Sequence, residues 1–258
     1  MSMTRQQLIT VFSFLSLFLL LFFVFDTKPK NKQKLDKTNT VNNSVDIDIE
    51  LKNAKSELIQ DSLISINNLE SELLSSNNNA SKTEILKKIS GWWYRQKNFA
   101  LAGLYAEKVA EIENNDVAWA IAATTFAEGK ESTDDQTKKF CIDKSRNSFE
   151  KAAALDPNNI AHKVNLALSF ADNPPADNPM KGIQMLLELS KENPDESIVQ
   201  ITLAKLAIKT GQYDKATARL QKLLDKNPND NNANCLLFEI YSIQGNIEKA
   251  EIYHKKCK

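Results

Sequence analysis

A period of 34 residues in the C-terminal part constrains this chain most. Gly211 and Gly245 lie 34 apart, as do Ala216 and Ala250. Each glycine opens the same frame, GQYDKA and GNIEKA: a polar residue, an apolar one, then acid, lysine and alanine. Helical spacing on both sides of Thr210-Gly211-Gln212 predicts two helices joined at the glycine, where a left-handed residue closes the first of them. Leu203 and Ala204 place one large and one small residue on the inner face of the first helix, and Ala216 lets the second approach closely. Leu220 and Leu223 fill the space between the pair and the next unit, and Pro228 stops the second helix.

Earlier units follow with more drift. In 160–196, Leu166 and Ala167 take the paired inner positions, Gly182 the close approach, Leu186 and Leu189 the filling positions, and Pro194 the stop; the extra length falls in 172–179, DNPPADNP. Before it, Trp119, Ala122, Ala123 and Phe126 match a first helix, and Ser145, Phe149, Ala152 and Pro157 a second, with a polar insertion near 128–136. The first unit runs from about Thr83 to Asn115 and contains GWWYRQKN and FALAGLYAEKVAEIE. This period and pattern resemble the tetratricopeptide repeat, a helix-turn-helix unit, over roughly 83–258. The layout also looks like that of membrane-anchored bacterial tetratricopeptide-repeat proteins of the Bacteroidota type, on GWWY, FALAGLYAEKVAEIE and NPPADNPMKGI. The resemblance implies an all-α fold with an α-solenoid of about five helix pairs over 80–258. It carries over no activity, because this scaffold serves many roles.

Leu8 to Phe25 is an uncharged run in which fifteen of 18 residues are Leu, Phe, Val or Ile. A helix of that length reaches about 27 Å, near the hydrocarbon thickness of a bilayer. No small-x-small cleavage site follows, so 1–25 is expected to be a single transmembrane anchor rather than a cleaved signal. Residues 26–45 read as a polar tether whose lysines can also meet anionic headgroups. Five lysines follow the anchor against Arg5 before it, a balance that leans toward a cytoplasmic body. Within 46–79, Leu51, Leu58, Ile59, Leu63, Ile66, Leu69 and Leu73 form an apolar stripe closed by Asn77-Asn78-Asn79. It suits helices packed on the front of the first repeat, or a dimerising coiled coil.

The 33 basic and 33 acidic residues cancel, but 1–45 holds six basic and two acidic ones, so 46–258 has a net charge of −4. An acidic body repels phosphate backbones and makes nucleic acid a poor partner. Chemistry-bearing patterns are missing. His162 and His254 have no third ligand at metal spacing, and no two glycines lie closer than Gly91 and Gly103, which excludes phosphate-cradling loops. No GxSxG turn exists. Cys141, Cys235 and Cys257 are widely spaced and odd in number, and read as three incidental thiols with no disulfide framework and no zinc pattern. No enzyme activity and no cofactor is expected. Trp92, Trp93 and Tyr94 cannot share one helix face, since adjacent residues point about 100° apart, so repeat packing is expected over a ligand cage.

What remains is the concave surface made by stacked first helices. The expected groove residues are Val164, Leu168 and Asp172 of the third unit, with Ala161 and Ala171. The fourth unit adds Ile198, Ile201, Lys205, Ile208 and Lys209, and the fifth Cys235 and Glu239, with Asn232, Ser242 and Ile243. Val164 and Leu168 stand where repeats that clamp a C-terminal carboxylate place lysine and asparagine, so that mode is not expected. An apolar groove with scattered charge suits an amphipathic helix or an extended apolar segment, or the chain's own 46–74 helix. Leu237 and Ile240, in a fifth unit without an added capping helix, are expected to be less covered and to dock a partner or a second copy. The chain thus reads as a membrane-held protein-binding scaffold, with a structural homo-oligomer as the alternative.

Overall fold

The computed structural model describes residues 47–258; the expected anchor at 8–25 and tether at 26–45 lie outside the described residues. No described helix is long and apolar enough to cross a membrane. Twelve α-helices and no strand occur among the described residues. Two lead-in helices, α1 (Ile47–Ser56) and α2 (Gln60–Ser75), precede five pairs. These are α3 (Asn79–Arg95) with α4 (Phe99–Glu113), α5 (Asp116–Ala127) with α6 (Asp135–Leu155), and α7 (Ile160–Asp172) with α8 (Lys181–Glu192). The last two are α9 (Ser197–Lys209) with α10 (Tyr213–Lys226) and α11 (Asn231–Ile243) with α12 (Ile247–His254). The first helix of each pair is called A and the second B.

The Asx residues between helices do specific work. Side chains of Asn78, Asn98, Asn115, Asp134, Asn159, Asp230 and Asn246 each accept a backbone N–H in the first turn of the helix they precede. That satisfies a donor the helix itself leaves orphaned. Asn78 therefore opens α3 as well as closing the stripe before it. Three of the five A-to-B turns share one geometry. Gln212 N donates to Ala207 O at 2.8 Å and Asn246 N to Tyr241 O at 2.9 Å, with Gly211 and Gly245 at φ +72° and +71° between them. In the first pair Asn98 N reaches Trp93 O at 3.1 Å, and Lys97, at φ 60°, takes the glycine's place.

Close approach is enforced at Gly182. A Cβ there would meet Ala167 O and Ala171 N of α7, both at 2.4 Å, so α8 lies directly on the α7 backbone. The expected excess in this unit is the loop 173–180. The polar insertion of the second unit is a 3-10 turn, Glu128–Glu131, followed by a loop that Asp134 ends by capping α6.

The lead-in stripe is used up at once. Ile66 is fully buried with Ile85, Leu86, Ile89 and Trp93, and Leu51, Leu58, Leu63, Leu69 and Leu73 pack against the same cluster. Ile59, assigned to that stripe, is instead 73% exposed, because it sits at the break between α1 and α2. The clusters of units 3 to 5 contain no residue of 47–75.

Gly182→Ala is expected to destabilise by about 1–3 kcal/mol, since the clash is with backbone that cannot rotate away. Leu220→Ala, which empties a fully buried site, is expected to lose about 2–5 kcal/mol. Denaturant titration followed by circular dichroism checks both; unchanged midpoints would refute this packing.

Candidate functional site

The A helices of units 3, 4 and 5 carry the expected groove, and the structure divides its residues into four groups. Val164 and Ile201 are core, not surface. Val164 shares a cluster with Leu186 and Leu189 of α8, and Ile201 one with Leu220 and Leu223 of α10. Both are withdrawn from the groove, because a branched apolar residue at this position is more fully desolvated against its own B helix than on the open face. Leu168, Ile198 and Ile208 are half-buried at the margins of those clusters. Asp172, Lys205, Lys209 and Glu239 are exposed.

Cys235 forms a group of its own. It is bonded to Cys257, with the Cα atoms 4.7 Å apart, which corrects the reading of three incidental thiols. Cys235 lies 34 residues after Ile201, and Cys257 lies 34 after Leu223. The bond thus joins the two positions at which unit 4 buries an Ile and a Leu. Asn231 Nδ2 donates to Lys258 O at 3.0 Å, and Lys258 N donates to Asn231 Oδ1 at 2.7 Å, so the residues after α12 are held against the start of α11. Leu237 and Ile240 are fully buried beneath this arrangement, contrary to the expectation of poor cover. The exposed large apolar residues of the pair are Ile243, Ile247 and Ile252. Cys141 stays free and buried; burial, and after it the charge of Glu50, pushes its thiol up to about 12, which keeps it unreactive.

Charged side chains tie the units together. Asp172, at the end of α7, lies 3.3 Å from Lys130 at the end of the second unit's A helix and 3.7 Å from Lys209 at the end of α9. A cleft of about 380 Å³ opens beside it, lined by Lys130, Ile142, Phe149, Asn165, Leu168 and Asp172 among others. At the opposite ends of the A helices His162 Nε2 meets Asp116 at 2.8 Å, and this hydrogen bond holds the Asp116 carboxyl below its usual range. Ser197 Oγ donates to Asp230 at 2.9 Å. Sequence spacing did not reveal Arg146 and Lys181, which both lie over the Phe170 ring, at 4.5 and 3.8 Å from its centroid.

Of the aromatic run, Trp92 and Trp93 are buried edge to face and Tyr94 is exposed beside Phe99. His162 is packed in the array. Among the described residues no group of three His, Cys, Asp or Glu side chains could hold a metal ion.

The family model for the tetratricopeptide repeat matches residues 178–237, from the loop before α8 into α11. The fold is similar to that of a tetratricopeptide repeat protein from Parabacteroides merdae, at 14% identity and a TM-score of 0.52, over 81% of this chain and 78% of that one. PilW, described as a widely conserved type IV pilus biogenesis factor, aligns at 19% identity and a TM-score of 0.46, over 68% of this chain and 76% of its own. MamA aligns at 18% and 0.42, over 66% and 92%. No curated protein matches the sequence. Residues 178–237 thus match the tetratricopeptide repeat, and the described residues form an all-α solenoid whose helix pairs follow one another in sequence order.

The Cys235–Cys257 bond closes a loop with a sequence separation of 22. Its reduction, or Cys235→Ser with Cys257→Ser, is expected to lower stability by about 2–4 kcal/mol. Thermal melts with and without dithiothreitol measure this; equal midpoints would mean the bond does not support the fifth unit.

Proposed function

We propose that this protein is a membrane-held scaffold that binds another protein along the A helices of units 3 to 5. The observation that carries the reading is the position of Asp172, paired on both sides, at the ends of three successive A helices. Leu168, Ile198 and Ile208 add half-buried apolar contacts, and Lys205, Lys209 and Glu239 add exposed charge. Such a face meets an amphipathic or extended apolar segment. The 8–25 run supplies the anchor and the following polar stretch the reach, which together raise local concentration at the bilayer. Assembly of an envelope complex is the role that fits these parts.

The lysines after the anchor and the disulfide disagree about which side the body occupies. The disulfide carries more weight, because cytosolic thiol systems keep thiols reduced, whereas the charge rule is a bias that translocated domains often overrule. The body is therefore proposed to lie on the oxidising side of the membrane, against the lean taken from charge alone. Exposed Ile243, Ile247 and Ile252 favour self-association as a second reading.

Photocrosslinkers placed at Leu168 and Lys205 in cells test the scaffold. The expected product is an adduct with a foreign protein; an adduct of the protein with itself alone would favour the second reading, and none from either position would refute the groove. In the same cells, Cys235 and Cys257 are expected to resist maleimide until a reductant is added. Labelling without reductant would place the body in a reducing compartment.

A further inference from the structure

The 34-residue period breaks in unit 3, and beside that break the molecule has a second cleft that the A-helix row does not account for. It measures about 840 Å³ and lies between the B helices α8 and α10, floored by the C-terminal half of α9. Ile183 and Leu187 of α8 and Leu203 and Leu206 of α9 make its apolar lining. Met180, the last residue of the inserted loop, completes it. Met180 is 53% exposed and Leu187 39%, so large apolar side chains face water here.

The charge around this cleft has one sign. Lys209, Lys215 and Arg219 line it, and no Asp or Glu does. Lys209 shares Asp172 at 3.7 Å. Lys215 donates to Gln212 Oε1 at 2.7 Å, and Arg219 to Gln200 Oε1 at 3.0 Å, both neutral acceptors that leave the cationic charge uncompensated. In a body whose net charge is negative, a cationic rim on an apolar floor is a local inversion.

From this complementarity we infer that the cleft binds an amphipathic protein helix whose apolar stripe is flanked by carboxylates. Leucines at i, i+3, i+4 and i+7 would replace the water over Met180, Leu187 and Leu206, while Glu or Asp on the flanks would meet Lys215 and Arg219. The volume lies within the range of sites that enclose a ligand. The lysine-rich 28–37 stretch of this chain has the wrong sign for the site. This surface goes beyond the proposed A-helix groove and could serve a second segment of the same partner or a different protein.

The test uses the full chain in zwitterionic nanodiscs, with empty discs as the blank. The probe is a fluorescein-labelled peptide of about 14 residues with Leu at the spacing above and Glu on both flanks; its twin carries Lys in place of each Glu. Fluorescence anisotropy is expected to show binding of the Glu peptide only, weakened at least about fivefold between low and high salt. Lys215→Glu and, separately, Leu187→Asp are expected to weaken it by about fivefold or more, whereas Lys108→Glu, at an exposed position of the otherwise largely buried α4, leaves it unchanged. Circular dichroism of each variant confirms that its helices persist, and Lys215, which bonds only Gln212, keeps the test independent of folding. Equal binding of the two peptides, no binding of either, or equal effects of Lys215→Glu and Lys108→Glu would overturn the proposal. Loss of the crosslinks at Leu168 and Lys205 would not affect it.

Discussion

A helix pair of some thirty residues cannot bury enough apolar surface to stand alone, so everything in this molecule depends on each A helix packing on its own B helix and each pair on the next. One position shows how that contact is made. Val164 joins Leu189 in unit 3 and Ile201 joins Leu223 in unit 4, each pair desolvated within one cluster. In unit 5 the same two positions are Cys235 and Cys257, and a covalent bond replaces the packing pair. The physical reason is the lack of two-sided burial. Among the described residues α12 packs chiefly against α11, whereas α10 packs against both α9 and α11. Dispersion and hydration gains scale with area removed from water, and a crosslink does not.

Apolar contacts decide which helices pair, but they tolerate sliding and rotation. Polar contacts between units remove that freedom at both ends of the A helices. His162 on Asp116 and Ser197 on Asp230 act at the starts of the helices, and Lys130, Asp172 and Lys209 at their ends. Ion pairs this exposed contribute little net stability. Their effect is on geometry: a row of A helices pinned at both ends presents its side chains to a partner at a fixed spacing, which a purely greasy stack does not guarantee.

The parts of the fold legible in the sequence were those governed by backbone chemistry. Gly211 and Gly245 announce left-handed turns, Pro228 a stop, and Gly182, Ala216 and Ala250 close approach, because few other residues meet those demands. Lys97 escaped notice, since a lysine in a left-handed turn is set by its surroundings and not by its own preference. The candidate groove was legible only in its polar members. A hydrophobic residue on an A helix fits either an open face or the B-helix contact, and helical spacing cannot separate the two. Val164 and Ile201 were misplaced for that reason. The disulfide did leave a trace in the sequence: both cysteines fall one period after a core pair. Spacing rules for cysteine frameworks look for nearby cysteines and pass over this relation.

The strictly periodic units are also the least informative about binding. Two clefts lie where the sequence departs from the period. The 3-10 turn at Glu128–Glu131 sets Lys130 at the mouth of the cleft beside Leu168 and Asp172, and the loop 173–180 brings Met180 to the edge of the cleft between α8 and α10. An insertion in a solenoid cannot be absorbed by the core, because the next unit must still meet the previous one at the same distance. It is extruded at the helix ends, where it separates surfaces that would otherwise close. In such a chain the repeats supply rigidity, and their interruptions supply the places where another molecule can enter.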